Sequence, residues 1–324
     1  MLYGVGGRWQ KVSSTANFSD SKNTYFNLSR YPDGGSDIVD YFAYSQLKLP
    51  ISKRLIALLG SRINHNHLEA NWNNPIFNFD QVINKNTSFI NSVLLSYKAT
   101  EKTKFKASYY RGFRNPNIDD IGKIFSKNDR DVVVPNSQLK PEYSNNIELG
   151  INYQSPKLKL QFQIFHTHIA NAISRQYESI NGVDSIIFDG ELMRIQMNKN
   201  NSYARINGLN FYGKYAISNH LSFVGDCNYL KGRENDNSPL AHIPPFNTKL
   251  ALKYSYKKSE FEINVKYNGW KYAYEFDMEG VDNLQEATKD GTPMWHTINL
   301  FYKQQLDKTA ALSMGIENIM DIHY

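Results

Sequence analysis

Two histidine pairs are among the residues whose types and spacing could support chemistry. His65 and His67, and separately His166 and His168, are spaced two residues apart. On a β-strand this spacing puts both rings of a pair on one face, where they could bind one metal ion together. His166 and His168 also continue the apolar face of the preceding segment, which favours a position at the rim of an apolar surface. The sequence therefore predicts no metal site.

Acidic residues form a second group with potential for chemistry. One polar segment interleaves four carboxylates with three basic side chains: Asp119, Asp120, Asp129 and Asp131 with Lys123, Lys127 and Arg130. Paired carboxylates could act as general acid and base. Mixed charges in a long loop are more typical of a solvated surface, and no Ser-His-Asp order or phosphate-binding glycine motif accompanies them. No catalytic residue is predicted, and the protein is not expected to be an enzyme.

The single cysteine, Cys227, excludes an internal disulfide. A reactive thiol needs an electropositive and partly exposed setting. Cys227 instead lies in an alternating segment, on the same face as Leu221, Phe223 and Tyr229. A small residue on an apolar face is therefore the favoured interpretation.

Thirteen segments of the chain have the two-residue period of a β-strand. In residues 157–167, for example, Leu158, Leu160, Phe162 and Ile164 alternate with lysine and glutamine. The segments run about 10–12 residues, which suits a tilted transmembrane strand, whereas strands of soluble proteins cluster near 5–6 residues. Tyrosines recur near the ends of the apolar faces, as they do at a membrane–water interface.

Short turns and long polar connections alternate between these segments. The turns fall near residues 49–53, 99–102, 154–156, 218–220, 257–259 and 305–308. The long connections cover roughly residues 12–39, 69–86, 113–141, 172–201, 233–245 and 271–292. Outer-membrane barrels have short periplasmic turns and longer extracellular loops. The pattern predicts an all-β, antiparallel, up-and-down transmembrane β-barrel, with the long connections on the extracellular side.

Composition agrees with that interpretation. No apolar segment approaches the roughly 18 residues of a membrane-spanning helix, and the mean hydropathy is −0.55. The 22 tyrosines and 18 phenylalanines suit the aromatic girdles of a barrel. The net charge of +6 is spread along the chain without a basic cluster, so nucleic acid is not an expected partner.

Several motifs, taken in order, resemble one family. They are RGFRNPN at residues 111–117, VPN at 134–136, LKPE at 139–142, ELG at 148–150, ARING at 204–208, PLAHIPP at 239–245 and GIENIMDIHY at 315–324. Together they resemble the signature of TonB-dependent outer-membrane receptors, along essentially the whole chain.

The resemblance implies a barrel of roughly 22 strands, of which residues 1–324 would form one partial domain of about 13. The first residues of the chain have the pattern of a strand and lack the features of a signal peptide. The plug domain, the TonB box and the last strand of the family are not visible in the sequence. We therefore expect a barrel fragment that neither closes nor transports alone.

The same resemblance implies energised import of a large, scarce nutrient across the outer membrane of a Gram-negative bacterium. A ferric siderophore is the first expectation, followed by haem, cobalamin or a glycan. The implied partners are TonB with its inner-membrane energising complex, the iron chelate, and outer-membrane lipid and lipopolysaccharide; no cofactor is implied. A passive porin-like channel and a soluble β-rich enzyme are the alternatives.

Residues for ligand binding are expected in the long loops and the upper lumen, because function concentrates in loops carried by a rigid scaffold. Ferric chelates are often anionic and aromatic, so Arg, Tyr and Trp have the appropriate chemistry. The candidates are Arg114, Asn117, Arg175, Tyr177, Arg194, Trp270, Tyr272, Tyr274 and Trp295.

Overall fold

Thirteen antiparallel strands form one continuous sheet in the computed structural model. The structure describes residues 1–19, 24–27, 29–73, 81–122, 124–128, 130–188, 190–200, 203–277 and 281–323. The wall strands are β1 Leu2–Val12, β2 Ser36–Pro50, β3 Leu55–Asn71, β4 Gln81–Lys98, β5 Thr103–Arg114, β6 Glu142–Gln154, β7 Leu158–Ala170, β8 Tyr203–Ala216, β9 Leu221–Glu234, β10 Asn247–Tyr256, β11 Ser259–Asn268, β12 Trp295–Gln305 and β13 Ala311–Ile316. Each strand pairs with the next along the chain, which confirms the predicted up-and-down order.

The six predicted short turns all connect wall strands at the same end of the sheet. In five of them a Ser, Thr or Asp side chain accepts a hydrogen bond from the backbone N–H of the residue three positions further along the chain. These residue types often close tight turns in this way. The acceptors are Ser52, Thr100, Ser155, Ser218 and Asp307. The sixth is the two-residue turn before β11, where Lys257 has a φ of 52°.

The two faces of the sheet differ as the alternation predicts. The outer face exposes large apolar side chains, including Phe89, Val93, Leu149, Ile151, Phe162, Ile164, Leu252, Ile263 and Met314. The inner face buries polar groups: Asn264 and Asn299 are each 1% exposed, and Asn299 donates to Asn264 at 2.9 Å. A soluble sheet has the reverse arrangement, so the outer face requires an apolar surrounding. Within the described ranges, no helix is long and apolar enough to cross a membrane.

The strand lengths depart from the prediction, since β3 has 17 residues and β4 has 18. Their extracellular ends continue beyond the expected length because the inner face there packs on loops. Leu68 and Val82 of these strands form a buried cluster with Ile121 and Leu139, which follow β5. The extra strand length therefore supports a folded extracellular layer.

That layer contains elements that the sequence did not predict. They are the hairpin Ala16–Ser19 and Thr24–Asn27, the helix α1 Ile118–Ile121, the strands Phe125–Asn128, Asp131–Val134, Ile173–Tyr177, Ser185–Phe188 and Glu191–Asn200, the short pair Lys271–Tyr272 and Gly291–Thr292, and the 3₁₀ turns Ala273–Glu275 and Leu284–Glu286.

Candidate ligand-binding face

The loops that follow β5 and β7 fold together into a second sheet. Asp131–Val134 of the first loop runs parallel to Glu191–Asn200 of the second, with Val132 opposite Ile195. Both of these side chains are fully buried. The two loops therefore form one structural unit, which we call the loop sheet, at the extracellular end of the wall.

Arg114, at the end of β5, connects the loop that follows β5 to the wall through hydrogen bonds. Its guanidinium donates to the carboxylates of Glu142 and Asp120, with Nη1 at 2.5 Å from Asp120 Oδ2. Glu142 also accepts the backbone N–H of Ile173 at 2.6 Å. Asn117 caps α1, because its side chain accepts the N–H of Asp120 while Asp120 accepts the N–H of Asn117. Arg114 and Asn117 thus hold the loops in place, and both border the cleft described next.

A cleft of about 440 Å³ lies between the inner face of β1–β3 and the end of β5. Asp40 accepts hydrogen bonds there from Arg8 at 2.8 Å and from Asn66 at 2.9 Å. The guanidinium of Arg62 lies 4.2 Å from the centre of the Phe42 ring. With Arg114 at its edge, the cleft therefore combines three guanidinium groups with an aromatic surface, which suits an anionic or aromatic ligand.

Three predicted residues lie on strands of the loop sheet, and two of them, Tyr177 and Arg194, are in contact. Arg194 donates to the hydroxyl of Tyr177 at 2.7 Å, lies 4.2 Å from the centre of that ring and pairs with Asp131 at 3.2 Å. Arg175 lies 5.2 Å from the centre of the Phe125 ring. These cations are held in place by carboxylate and aromatic neighbours within the loop sheet.

Trp270, Tyr272 and Tyr274 form a stack of three rings after β11. The centres of the first two rings are 5.9 Å apart and those of the last two 5.4 Å apart. Tyr272 is 47% exposed and Tyr274 is 70% exposed. A cleft of about 380 Å³ borders Trp270 and Tyr272. Trp270 is fixed by a hydrogen bond from its indole to the carbonyl of Asp290 at 3.2 Å, so this aromatic stack presents flat surfaces to solvent on a rigid base.

The loop that contains the aromatic stack also contains a buried ion pair. Lys271 Nζ lies 2.7 Å from Asp282 Oδ2, and the two side chains are 13% and 7% exposed. Burial alone would raise the pKa of Asp282, but Lys271 and the backbone N–H of His242 stabilise the carboxylate and bring that pKa below its usual value. The pair anchors the loop beside the aromatic stack.

Eight of the nine predicted residues thus fall at three separate places, and the ninth, Trp295, begins β12. Arg114 and Asn117 border the first cleft; Arg175, Tyr177 and Arg194 belong to the loop sheet; and Trp270, Tyr272 and Tyr274 form the aromatic stack. Their role in binding a ligand remains a prediction.

The residues of the first cleft that lie on β1–β3 were not predicted from sequence. Arg8, Asp40 and Arg62 lie on wall strands, whereas most of the predicted ligand contacts lie in the long loops. The available signal was a series of polar residues on the inner face near the extracellular ends of three consecutive strands.

Two of the acids of the β5–β6 loop do not belong to a solvated surface, whereas Asp119 is 46% exposed. Asp120 and Asp131 are only 15% and 13% exposed, and each pairs with an arginine. Asp119 accepts the hydroxyl of Tyr31 at 2.9 Å, which raises the pKa of that tyrosine. The remaining acid, Asp129, and the basic residue Lys123 lie outside the described residues.

The histidine pairs lie on the outer surface. His166 hydrogen-bonds Asn207 at 2.8 Å, and His168 stacks on Tyr203 with ring centres 5.4 Å apart. His65 hydrogen-bonds Thr87 at 2.9 Å. Across the part of the chain that the structure describes, no three His, Cys, Asp or Glu side chains are grouped as metal ligands.

An apolar outer face, a polar inner face, short turns at one end and folded loops at the other define the wall of an outer-membrane β-barrel. The family profile described as TonB dependent receptor-like, beta-barrel matches residues 2–319. The chain therefore belongs to this family of outer-membrane receptors, which are transporters and not enzymes. This membership does not favour the porin alternative.

Known proteins agree with this assignment. The chain is 20% identical over 235 residues to the probable hemoglobin and hemoglobin-haptoglobin-binding protein 4 of Haemophilus influenzae. The aligned region covers 68% of this chain and 23% of that protein. The copper transporter OprC superposes with a TM-score of 0.77 at 15% identity, over 99% of this chain and 48% of its own. A mutant ferric enterobactin receptor from Pseudomonas aeruginosa superposes with a TM-score of 0.66 at 16% identity, over 99% of this chain and 53% of the receptor chain. The chain thus spans about a quarter of the curated relative and about half of each solved chain.

Proposed function

We propose that this chain forms part of the wall and extracellular face of a receptor that imports an iron-carrying ligand. The observation that carries the proposal is the folded extracellular layer, in which cationic and aromatic side chains border clefts of about 440 and 380 Å³. Pockets with a few fixed polar groups and aromatic walls are typical of small-molecule sites. A passive channel needs no such layer.

Two ligand types are supported by different observations. The guanidinium and aromatic groups of the first cleft and the flat rings of the aromatic stack suit an anionic aromatic chelate such as a ferric siderophore. The name of the Haemophilus influenzae relative instead supports haem carried by a protein, which would bind across the loop layer. The siderophore is our first candidate because the clefts have the size of a small ligand.

Transport requires energy if the ligand is scarce outside the cell. In the mechanism proposed for the whole receptor, ligand binding at the extracellular face is followed by movement of a plug, driven by TonB and its inner-membrane complex. The chain described above contributes the wall and the outer loops to that process. Its own residues bind and orient the ligand, and no covalent step is involved.

The test uses the full-length receptor with a panel of ferric siderophores, haem, haemoglobin and cobalamin, measured by tryptophan quenching. Uptake of labelled iron is then compared in cells with and without TonB. We expect one iron-bearing ligand to bind and its uptake to require TonB. Binding of none of the panel, or uptake that is independent of TonB, would contradict the proposal.

A pair of variants tests the aromatic stack. Tyr272→Ala removes the middle ring, and Tyr256→Ala makes the same change at an exposed site beside a periplasmic turn. Because aromatic contacts contribute roughly 0.5–1.5 kcal/mol each, the first variant should weaken ligand binding about 2- to 13-fold, and the second should not change it. Equal affinities for all three proteins would exclude the aromatic stack from the site.

A further inference from the structure

Four lysines lie on the inner face of the wall close to its periplasmic end. They are Lys104 and Lys106 on β5, Lys159 on β7 and Lys214 on β8. Lys159 lies directly opposite Lys214. Neighbours of these lysines in sequence, such as Phe105 and Tyr215, belong to the apolar outer face, so the lysines point inward. All four side chains are exposed, and we call them the lysine band.

The lysine band has no acidic partner in the wall. Among the described residues, no carboxylate lies within ion-pair distance of any of its four side chains. Glu101, in the turn before β5, pairs instead with Lys98 at 2.6 Å. Like charges directly opposite on neighbouring strands are destabilising. Lys159 and Lys214 therefore oppose the stability of the wall unless an anion lies between them.

Elsewhere the same inner face does balance its lysines. On β10 and β11, Glu262 lies 3.1 Å from Lys249 and 2.6 Å from Lys253. The acid of β6, Glu148, accepts hydrogen bonds from the hydroxyls of Tyr110 and Ser108 instead of an ion pair from the lysine band. The wall can therefore place a carboxylate beside an inward lysine, and it leaves the lysine band without one.

One strand connects the lysine band to the first cleft. The inner face of β5 carries, in order, Lys104, Lys106, Ser108, Tyr110, Gly112 and Arg114. Arg114 borders the cleft that contains two further guanidinium groups. Eight residues separate Lys106 from Arg114, which is about 26 Å at a rise of roughly 3.3 Å per residue. The inner wall thus carries cations at both of its ends.

The lysine band also contains an aromatic surface and neutral hydrogen-bonding groups. Lys159 Nζ lies 5.5 Å from the centre of the Tyr212 ring on β8. Asn152 of β6 lies opposite both Lys104 and Gln161, which join the two halves of the band through amide side chains. Cations beside an aromatic ring are also the chemistry of the first cleft, where Arg62 lies over Phe42. Both ends of the inner wall therefore suit the same class of ligand.

We propose that the lysine band is a second binding site for a multiply charged, anionic iron chelate, which it binds after the chelate has left the extracellular clefts. This inference rests on the proposed function, because it assigns the imported ligand to both ends of the wall. Anionic oxygens of the chelate would accept charge-assisted hydrogen bonds from Lys159 and Lys214 and remove the repulsion between them. An aromatic group of the chelate would contact Tyr212. A neutral chelate would gain none of the ionic contacts, so the site selects for charge.

The direct test measures acylation of lysines in the full-length receptor in detergent, followed by peptide mass spectrometry. The probe is ferric enterobactin, a trianionic catecholate, and ferrichrome is a neutral chelate of similar size. Ferric enterobactin should slow acylation of Lys159 and Lys214 at least about 3-fold, because amines in contact with the chelate are shielded from the reagent. Ferrichrome should not slow it. Lys53 and Lys308, which are exposed in periplasmic turns, are the matched internal controls and should react equally in all samples.

Three results of this experiment would overturn the proposal. Unchanged acylation with ferric enterobactin would show that the lysine band binds no anionic chelate. Equal slowing by ferrichrome would show that the site does not select for charge. A lysine band that fails to react in the free receptor, while Lys53 reacts, would show that another part of the protein already covers it.

Uptake separates the lysine band from the extracellular site. Lys159→Gln with Lys214→Gln should lower TonB-dependent uptake of radiolabelled iron, carried by the anionic siderophore that the binding panel identifies, at least about 3-fold, because two charge-assisted contacts are lost. The affinity measured by tryptophan quenching should stay the same. Lys53→Gln with Lys308→Gln is the matched control and should change neither quantity.

Unchanged uptake in the first variant, or an equal loss in the control, would contradict the proposal. Uptake that no longer requires TonB in the first variant would show that these lysines hold a plug in place and do not bind the chelate. If the unmodified receptor imports no anionic chelate, the proposed function fails, whereas the acylation experiment still decides whether the lysine band binds an anion.

Discussion

An arginine at the centre of β7 should destabilise the barrel only if its side chain points outward, toward lipid. Ile164 is the middle residue of Leu158–Ala170, points outward and is 43% exposed. Its neighbours across the sheet, Leu149 and Leu209, are also apolar. Gln163, the preceding residue, points inward and lies between Gly150 and Asn210. The two positions therefore differ in environment but hardly in depth.

The expected magnitude follows from the depth of Ile164 in the membrane. Six residues separate it from either end of β7, which is about 20 Å along the strand at a rise of roughly 3.3 Å per residue. A tilt of about 40° converts this length to about 15 Å, close to the centre of an apolar band roughly 25 Å tall. An arginine facing lipid at that depth costs about 2–4 kcal/mol, or about 30- to 1,000-fold in the folding equilibrium.

The assay is denaturant unfolding of the full-length receptor in lipid vesicles, followed by tryptophan fluorescence. Ile164→Arg should lower the free energy of unfolding by the stated amount, and Gln163→Arg should change it by less than about 0.5 kcal/mol, as for an ordinary surface position. Equal losses in both variants, or a greater loss for Gln163→Arg, would refute the assignment of the two faces.

Three further predictions concern the extracellular layer. Because the pKa of Asp282 is below its usual value of 3.8, its contact with lysine is fully present above that pH and is lost as the pH falls through the lowered pKa; the hydrogen-exchange protection factors in residues 270–292, corrected for the intrinsic exchange rate at each pH, should therefore fall in acid, and Asp282→Asn should remove this dependence. Arg114→Gln leaves Asp120 and Glu142 without their shared cation, which should destabilise the loop by about 1–3 kcal/mol and speed proteolysis within residues 115–141. Ile195→Ala removes a fully buried side chain and should lower the local stability of the loop sheet by about 2–5 kcal/mol, measured by hydrogen exchange.

Each of these predictions has a contradicting result. Protection factors that are independent of pH in the unmodified receptor would show that Asp282 does not stabilise its loop. Unchanged proteolysis in the Arg114 variant would mean that other contacts suffice to fix the loop. Faster exchange confined to the β7–β8 loop in the Ile195 variant would show that the two loops do not unfold as one unit.

Local residue patterns were sufficient to predict the wall of the barrel. The apolar faces containing Leu149, Ile164 and Ile263 were assigned correctly because side-chain direction in a strand alternates with a fixed period. Lipid around the barrel and a polar interior then determine which face is apolar. The short turns were equally predictable, because they are closed by hydrogen bonds between residues only three positions apart, such as those that Ser52 and Thr100 accept.

The folded loops were not predictable in the same way. The parallel pairing of Asp131–Val134 with Glu191–Asn200 joins segments from different loops, and short apolar segments do not specify their partner. The ion pairs of Arg114 with Asp120 and Glu142 likewise depend on where α1 and β6 lie in space.

The sequence by itself therefore determined the strands, their faces, their order and the family, because these depend on residue types at short, fixed spacings. The tertiary structure decided which side chains meet. The strand register brings Lys159 opposite Lys214, and loop packing places Arg8 and Arg62 in one cleft with Arg114. Register and loop packing depend on interactions between distant parts of the chain, which a local pattern does not contain.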